Sequence, residues 1–180
     1  GKAMIYGDTD SCYFSAWPLL KDDVESGKLE WSPEKAISLY DQICEQANTT
    51  FPDFMMRAFH CPKSRSDVIA AGREIVARSG LYITKKRYAA LVTDNEGFRT
   101  DQDGIGKVKA MGLDLRRSDT PVFMQDFLKE LLTMVLTDVP QKEVLDRITE
   151  FRKEFSARPG WEKGSPKRAN KIGHYQRLEE

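Results

Sequence analysis

Two carboxylates, Asp8 and Asp10, stand one residue apart in the stretch MIYGDTDSCYF, residues 4–14. Like charges held that close repel, and a divalent cation between them is the simplest remedy. Calcium loops carry about five or six oxygen ligands in a D-x-D-x-D-G pattern with a distant Glu, and here the acidic spacing stops at two. Magnesium fits a poorer ligand set, because it keeps waters and completes its shell with substrate phosphates. Most Gly-Asp turns only reverse the chain, so the turn by itself carries no chemistry; the paired carboxylates do.

The residues around the turn state how the carboxylates are to be held. Met4, Ile5 and Tyr6 precede it and Cys12, Tyr13 and Phe14 follow it. Apolar and aromatic residues on both sides of a Gly-Asp turn predict a β-hairpin, with both carboxylates near its tip. A second cluster lies in TKKRYAA, where Lys85, Lys86, Arg87 and Tyr88 are consecutive. In a strand Lys86 and Tyr88 would share one face, and Lys85 and Arg87 the other. A long cation beside a phenol can contact a nucleic-acid backbone and lie against a sugar or base edge. A solvated, edge-protecting lysine strand has the same appearance, and the residues alone leave both readings open. The basic pairs Arg116 with Arg117 and Lys167 with Arg168 are equally open.

The rest of the chain bounds the setting. One hundred and eighty residues suffice for one sizeable core and a small appendage. No apolar run is long enough to span a membrane. Cys12, Cys44 and Cys61 follow no metal-ligand spacing and are expected as reduced, intracellular thiols; His60 and His174 are too isolated for a zinc site. The net charge is zero, but it is distributed unevenly. Residues 1–60 hold five basic and ten acidic side chains, and residues 61–120 hold twelve and eight. Residues 121–150 hold three and six, and residues 151–180 eight and four. Two basic zones separated by acidic ones suggest a polyanion surface on part of a neutral body.

The order of elements is mixed. KDDVESGKLEW is expected as a polar connection. Ser32 and Pro33 predict a helix start, with Ala36, Ile37, Tyr40, Ile43, Cys44 and Ala47 on its inner face. Phe51, Phe54, Met55, Ala58 and Phe59 continue the pattern after an expected break near Pro52. Residues 73–98 predict two or three antiparallel strands punctuated at Ser79-Gly80 and at 94–97, and KVKAMGLDLRRSD another. Thr120 and Pro121 predict a second helix start, and a further helix is expected from about Pro140, with Val144, Ile148, Phe151 and Phe155 inward. The remainder, ARPGWEKGSPKRANKIGHYQRLEE, is expected as basic loop.

Taken in order, YGDTDS at residues 6–11, KKRY at 85–88 and KAMGLDLRRSDTP at 109–121 resemble the C-terminal half of a family B DNA polymerase. The T-even-like bacteriophage replicative enzymes are nearest in pattern. YGDTDS is highly specific; KKRY convinces by its position after it. The resemblance covers nearly the whole chain and implies an α+β fold: an antiparallel palm sheet with helices packed on one face. It implies palm for residues 1–120, and for 121–180 palm helices leading into the thumb. It implies two Mg2+ ions held by Asp8 and Asp10, with Asp10 the essential ligand and Asp8 the more peripheral one. It also implies a surface for primer-template DNA built from Lys85, Lys86, Arg87 and Tyr88, with Arg116, Lys167, Arg168 and Lys171 as further contacts. PKRANKIGHYQ resembles the thumb-side segment that follows. The implied reaction is template-directed nucleotidyl transfer from deoxynucleoside triphosphates to a primer 3′ end by a two-metal mechanism, in the cytoplasm, that of the bacterial host for a phage enzyme.

The family also uses an upstream aspartate, a fingers helix and usually an exonuclease domain, which precede YGDTDS. This chain is therefore expected to be a piece of a longer polymerase, or one part of a split one, inactive alone and partnered by the N-terminal remainder. Without the strand that bears the upstream aspartate, a sheet edge beside the hairpin would be left unpaired, an expected site of dimerisation or aggregation. The alternative is a non-catalytic DNA-binding or assembly module of a split polymerase.

Overall fold

The computed structural model describes residues 3–102, 104–113, 115, 117 and 119–164. The hairpin forms as the alternation predicts: β1 (Met4–Asp8) pairs antiparallel with β2 (Ser11–Phe14) through a two-residue turn at 9–10. Two helices follow, α1 (Trp17–Glu25) and α2 (Pro33–Phe59). Next come the four strands β3 (Ile75–Thr84), β4 (Arg87–Asn95), β5 (Phe98–Arg99) and β6 (Lys107–Met111). The helices α3 (Val122–Leu136), α4 (Gln141–Ala157) and the short α5 (Gly160–Lys163) complete the described chain. The fold is α+β, with every strand pairing antiparallel.

β4 is the spine of the sheet. It pairs with β3 along one edge and with β6 and then β5 along the other. Its sequence explains the position: AALVT is a continuous run without polar alternation, as a strand covered on both faces requires. Ala89, Ala90 and Leu91 are completely buried. Ala89 and Leu91 pack with Leu136 of α3, flanked by Leu132, Val108, Ala110 and Leu113. The α3 stripe thus covers the sheet, and α4 covers α3 in turn, with the rings of Phe127 and Phe151 stacked 3.6 Å apart. Burial of such side chains is worth roughly 1.5–3 kcal/mol each.

Several local expectations give way to tertiary contacts. Of the expected polar connection at 21–31, residues 21–25 are helix, the latter part of α1, which begins at Trp17 with Pro18 in its first turn, where the missing N–H costs nothing. Its polarity is that of a helix with no buried residue. Ser32 caps α2 through the Lys35 amide as expected, but α2 runs unbroken through Pro52. The hydroxyls of Thr49 and Thr50 donate to the carbonyls of Gln46 and Ala47, and Asn48 is tied to Ala71 by two hydrogen bonds. These bonds brace the turn that the proline would otherwise open. Ser79 and Gly80 lie inside β3 beside a register irregularity and form no turn. The chain reverses at 85–86 instead, so Lys85 and Lys86 are turn residues and do not alternate along a strand. α3 begins one residue later than expected, with Pro121 as its N-cap. The expected basic loop contains α5 before leaving the described residues. The hairpin is a two-stranded sheet of its own, with Met4 and Ile5 exposed on β1.

Candidate metal and nucleic-acid site

Asp8 ends β1 and Asp10 occupies the 9–10 turn, where Thr9 takes the left-handed conformation at φ 56°. Asp8 is half-buried. One of its carboxylate oxygens accepts a hydrogen bond from Thr9 Oγ1 at 3.2 Å, and the other a long one from the Tyr6 hydroxyl at 3.4 Å. The Ser11 hydroxyl closes the turn on the Asp8 carbonyl at 3.1 Å. Asp10 is exposed, and its carboxylate makes no side-chain bond among the described residues. One carboxylate is thus oriented and the other is open to a ligand. Both are hard oxygen donors of the kind magnesium takes. Among the described residues no group of three or more acidic, histidine or cysteine side chains converges, here or elsewhere.

The hairpin is not free-standing. Tyr6 and Tyr13 are cross-strand partners on β1 and β2, and Tyr82 and Tyr88 are cross-strand partners on β3 and β4. The two pairs face each other: Tyr6 stacks on Tyr82 at 5.6 Å, and Tyr13 lies 5.4 Å from Tyr88. Aromatic pairs at such separations contribute about 0.5–1.5 kcal/mol beyond their buried area. The hydroxyls of Tyr13 and Tyr88 are 3.0 Å apart and share a hydrogen bond. Burial, then the hydrogen bond to Tyr88, raises the pKa of Tyr13 well above that of an ordinary phenol. Burial, then the charge of Tyr88, pushes Tyr82 up to about 12.

This cluster brings the two sequence motifs together. The backbone N–H of Lys86 donates to the Tyr6 hydroxyl at 2.8 Å, so the 85–86 turn sits against the hairpin that bears Asp8. Lys85, Lys86 and Arg87 are all exposed there. Tyr88 is not: it is 6 % exposed within the tyrosine cluster, so a place beside Lys86 on a nucleic-acid face is excluded in this arrangement. Its role is to dock the hairpin. Arg117 forms a two-bond ion pair with Asp119. Arg116, Lys167, Arg168 and Lys171 lie outside the described residues.

Tyr6, Tyr13 and Tyr82 are residues of the site that the sequence reading does not single out, and Tyr88 it singles out for a different place. A signal was present, one tyrosine on each arm of each turn, but their meeting across the fold is invisible locally. At the far end of β4 a cavity of about 510 Å³ opens against α2. Its two arginines are already engaged, Arg73 by Asp41 and Asp94, and Arg99 by Glu34 and Asp101. Among the described residues it therefore presents no free cation to a phosphate.

No protein-family model matches the chain. It is similar to the DNA-directed DNA polymerase of Escherichia phage RB69, 29 % identical over 144 residues, which is 75 % of this chain and 15 % of the phage protein. It is also similar to DNA polymerase 037L of Invertebrate iridescent virus 6, 25 % identical over 151 residues, 83 % of this chain and 11 % of the viral protein. The chain is a distant homologue of these two DNA polymerases, over most of its own length and a small part of theirs, in agreement with the family B resemblance of its motifs.

Proposed function

We propose that this chain supplies metal-binding carboxylates and a primer-template surface to a DNA-directed DNA polymerase. The observation that carries the reading is the union of two motifs 80 residues apart: the hairpin of Asp8 and Asp10 and the cationic 85–86 turn are joined through Tyr6. Asp10 and Asp8 would hold magnesium, which when bound lowers the pKa of a primer 3′-hydroxyl and neutralises the leaving pyrophosphate. Phosphoryl transfer asks mainly for positioning and charge neutralisation. Asp10, exposed and unbonded, is the primary ligand; Asp8, oriented by Thr9 and Tyr6, is the secondary one. Lys85, Lys86 and Arg87 hold the duplex by its phosphates, which positions it without reading sequence.

Two carboxylates bind magnesium weakly unless other ligands and substrate phosphates complete the shell. The chain by itself is accordingly inactive, and the partner it serves is the rest of the polymerase, with primer-template DNA and deoxynucleoside triphosphates as substrates. The test is primer extension by a polymerase assembled from this chain and the remaining segments. Asp10→Ala abolishes extension and leaves duplex affinity nearly unchanged, and Asp8→Ala is milder. Duplex binding by the chain alone is feeble and falls with salt at a log–log slope of about −2.7 for three phosphates. The absence of a third converging acidic ligand among the described residues favours a second reading, a non-catalytic DNA-binding or assembly module. Extension that survives Asp10→Ala would select it.

A further inference from the structure

The 85–86 turn is gripped from two sides by residues distant in sequence. Lys86 is a non-glycine residue at φ 63°, a conformation that a side chain adopts only under constraint. Its N–H is held by the Tyr6 hydroxyl at 2.8 Å. Its carbonyl lies against Gly112, which follows β6 at φ +65°. A Cβ at position 112 would stand 2.0 Å from the Lys86 oxygen and 3.1 Å from Arg87 Cγ, so only glycine lets the segment after β6 close onto the turn. The N–H of Lys86 is thereby bonded and its carbonyl closely covered.

The Tyr6 hydroxyl has a second partner. While its oxygen accepts from Lys86, its proton points to the Asp8 carboxylate, 3.4 Å away. The ring cannot swing clear, because it is packed against Tyr13, Tyr82 and Tyr88 at 5.6–5.9 Å. One phenol therefore stands between the backbone of the cationic turn and the carboxylate at the hairpin end. We propose that Tyr6 and Gly112 are positioning residues that hold the 85–86 turn and the Asp8 carboxylate as one unit, so that a cation on the carboxylates is felt at the turn. The coupling to a cation rests on the function proposed above; the clamp itself does not. A cation that draws on the Asp8 oxygen redirects the Tyr6 proton and changes what the Lys86 N–H meets. A turn set for a phosphate then goes with a carboxylate set for a metal, as reciprocity between coupled sites demands.

Amide NMR of the whole chain tests both halves. In Tyr6→Phe, which keeps the ring, the Lys86 amide exchanges with solvent about three- to tenfold faster, the worth of one hydrogen bond. The Ala89 and Leu91 amides in the core keep their rates. Titration of the wild-type chain with magnesium alone moves the Asp10, Ser11 and Lys86 amides with one midpoint. In Tyr6→Phe the first two still move and Lys86 does not. In Gly112→Ala the Lys86 resonances shift and the magnesium midpoint rises, although no carboxylate has been altered. Should Gly112→Ala fail to fold, Tyr6→Phe decides by itself. An unchanged Lys86 exchange rate in Tyr6→Phe, or a Lys86 response to magnesium equal to that of the wild type, overturns the proposal. If no amide near Asp10 responds to magnesium in the wild-type chain, the metal reading and the coupling both fall, while the exchange rates still decide whether the clamp exists.

Discussion

The two ends of β4 are both closed by two-residue turns, and they are built on opposite terms. At its C-terminal end Glu96 and Gly97 both take positive φ, 51° and 89°, the pattern of a tight hairpin turn with glycine where glycine belongs. Beneath that turn Asp94, 2 % exposed, accepts hydrogen bonds from the Gly97 amide and from Arg73. Burial opposes the charge on Arg73, but its hydrogen bonds to Asp41 and Asp94 outweigh that and raise its pKa. At the N-terminal end the left-handed position is filled by Lys86, three cations in a row face solvent, and phenols supply the anchoring. One end spends its polar groups on itself. The other keeps three cations exposed, and its anchoring is aromatic.

The largest effect is expected at the ion-paired end. Arg73→Ala leaves Asp94 buried without its cation and costs about 3–5 kcal/mol in urea unfolding. A loss below about 1 kcal/mol would mean that the pair does not organise that end. Next come the turns themselves. Gly97→Ala, at φ +89° in open space, loses about 1–2 kcal/mol through conformation alone. Lys86→Gly has the opposite sign and gains about 0.5–1 kcal/mol, left-handed strain outweighing the extra freedom of the unfolded chain, while duplex affinity falls. A loss of stability in Lys86→Gly would show that the left-handed position costs nothing there.

Two pH effects sharpen it further. Tyr13 and Tyr82 have folded pKa values raised above the ordinary 10.0, so their contribution is complete below pH 10 and is lost as pH rises toward and past 12. Ultraviolet titration should show these phenols ionising late, together with loss of the near-ultraviolet signal of the docked hairpin. Tyr13→Phe weakens that delay by removing the hydrogen bond to Tyr88. The smallest effect is at the other end. The hydrogen bond from Arg99 holds exposed Glu34 down at about 2, so its contribution is complete above pH 4.5 and lost as pH falls to 2. Glu34→Gln flattens the stability profile in that window, and added salt shrinks the difference because the pair is exposed.

Elements whose rules are local were legible in the residues: the hairpin about Asp8 and Asp10, the Ser32 and Pro33 helix start, and the presence of antiparallel strands within 73–98. Elements that broke local rules were not. Pro52 lies inside α2 because Thr49, Thr50 and Asn48 brace the turn before it. Ser79 and Gly80 stay in β3, where a register irregularity absorbs them and Ser79 Oγ donates to the Leu136 carbonyl at 2.5 Å. Tyr88 had the composition of a binding residue and the position of a packing one.

The residues alone say which groups are present and what each can do: two carboxylates one residue apart fit for magnesium, and a cationic triplet fit for phosphates. The meeting of the hairpin with the cationic turn, the four tyrosines that join them and the left-handed Lys86 between Tyr6 and Gly112 belong to the tertiary structure. The reason is physical. Period and turn chemistry act over a few residues, but docking two hairpins is favourable only once phenols some 70–80 positions apart are desolvated against one another, and no local pattern encodes that encounter.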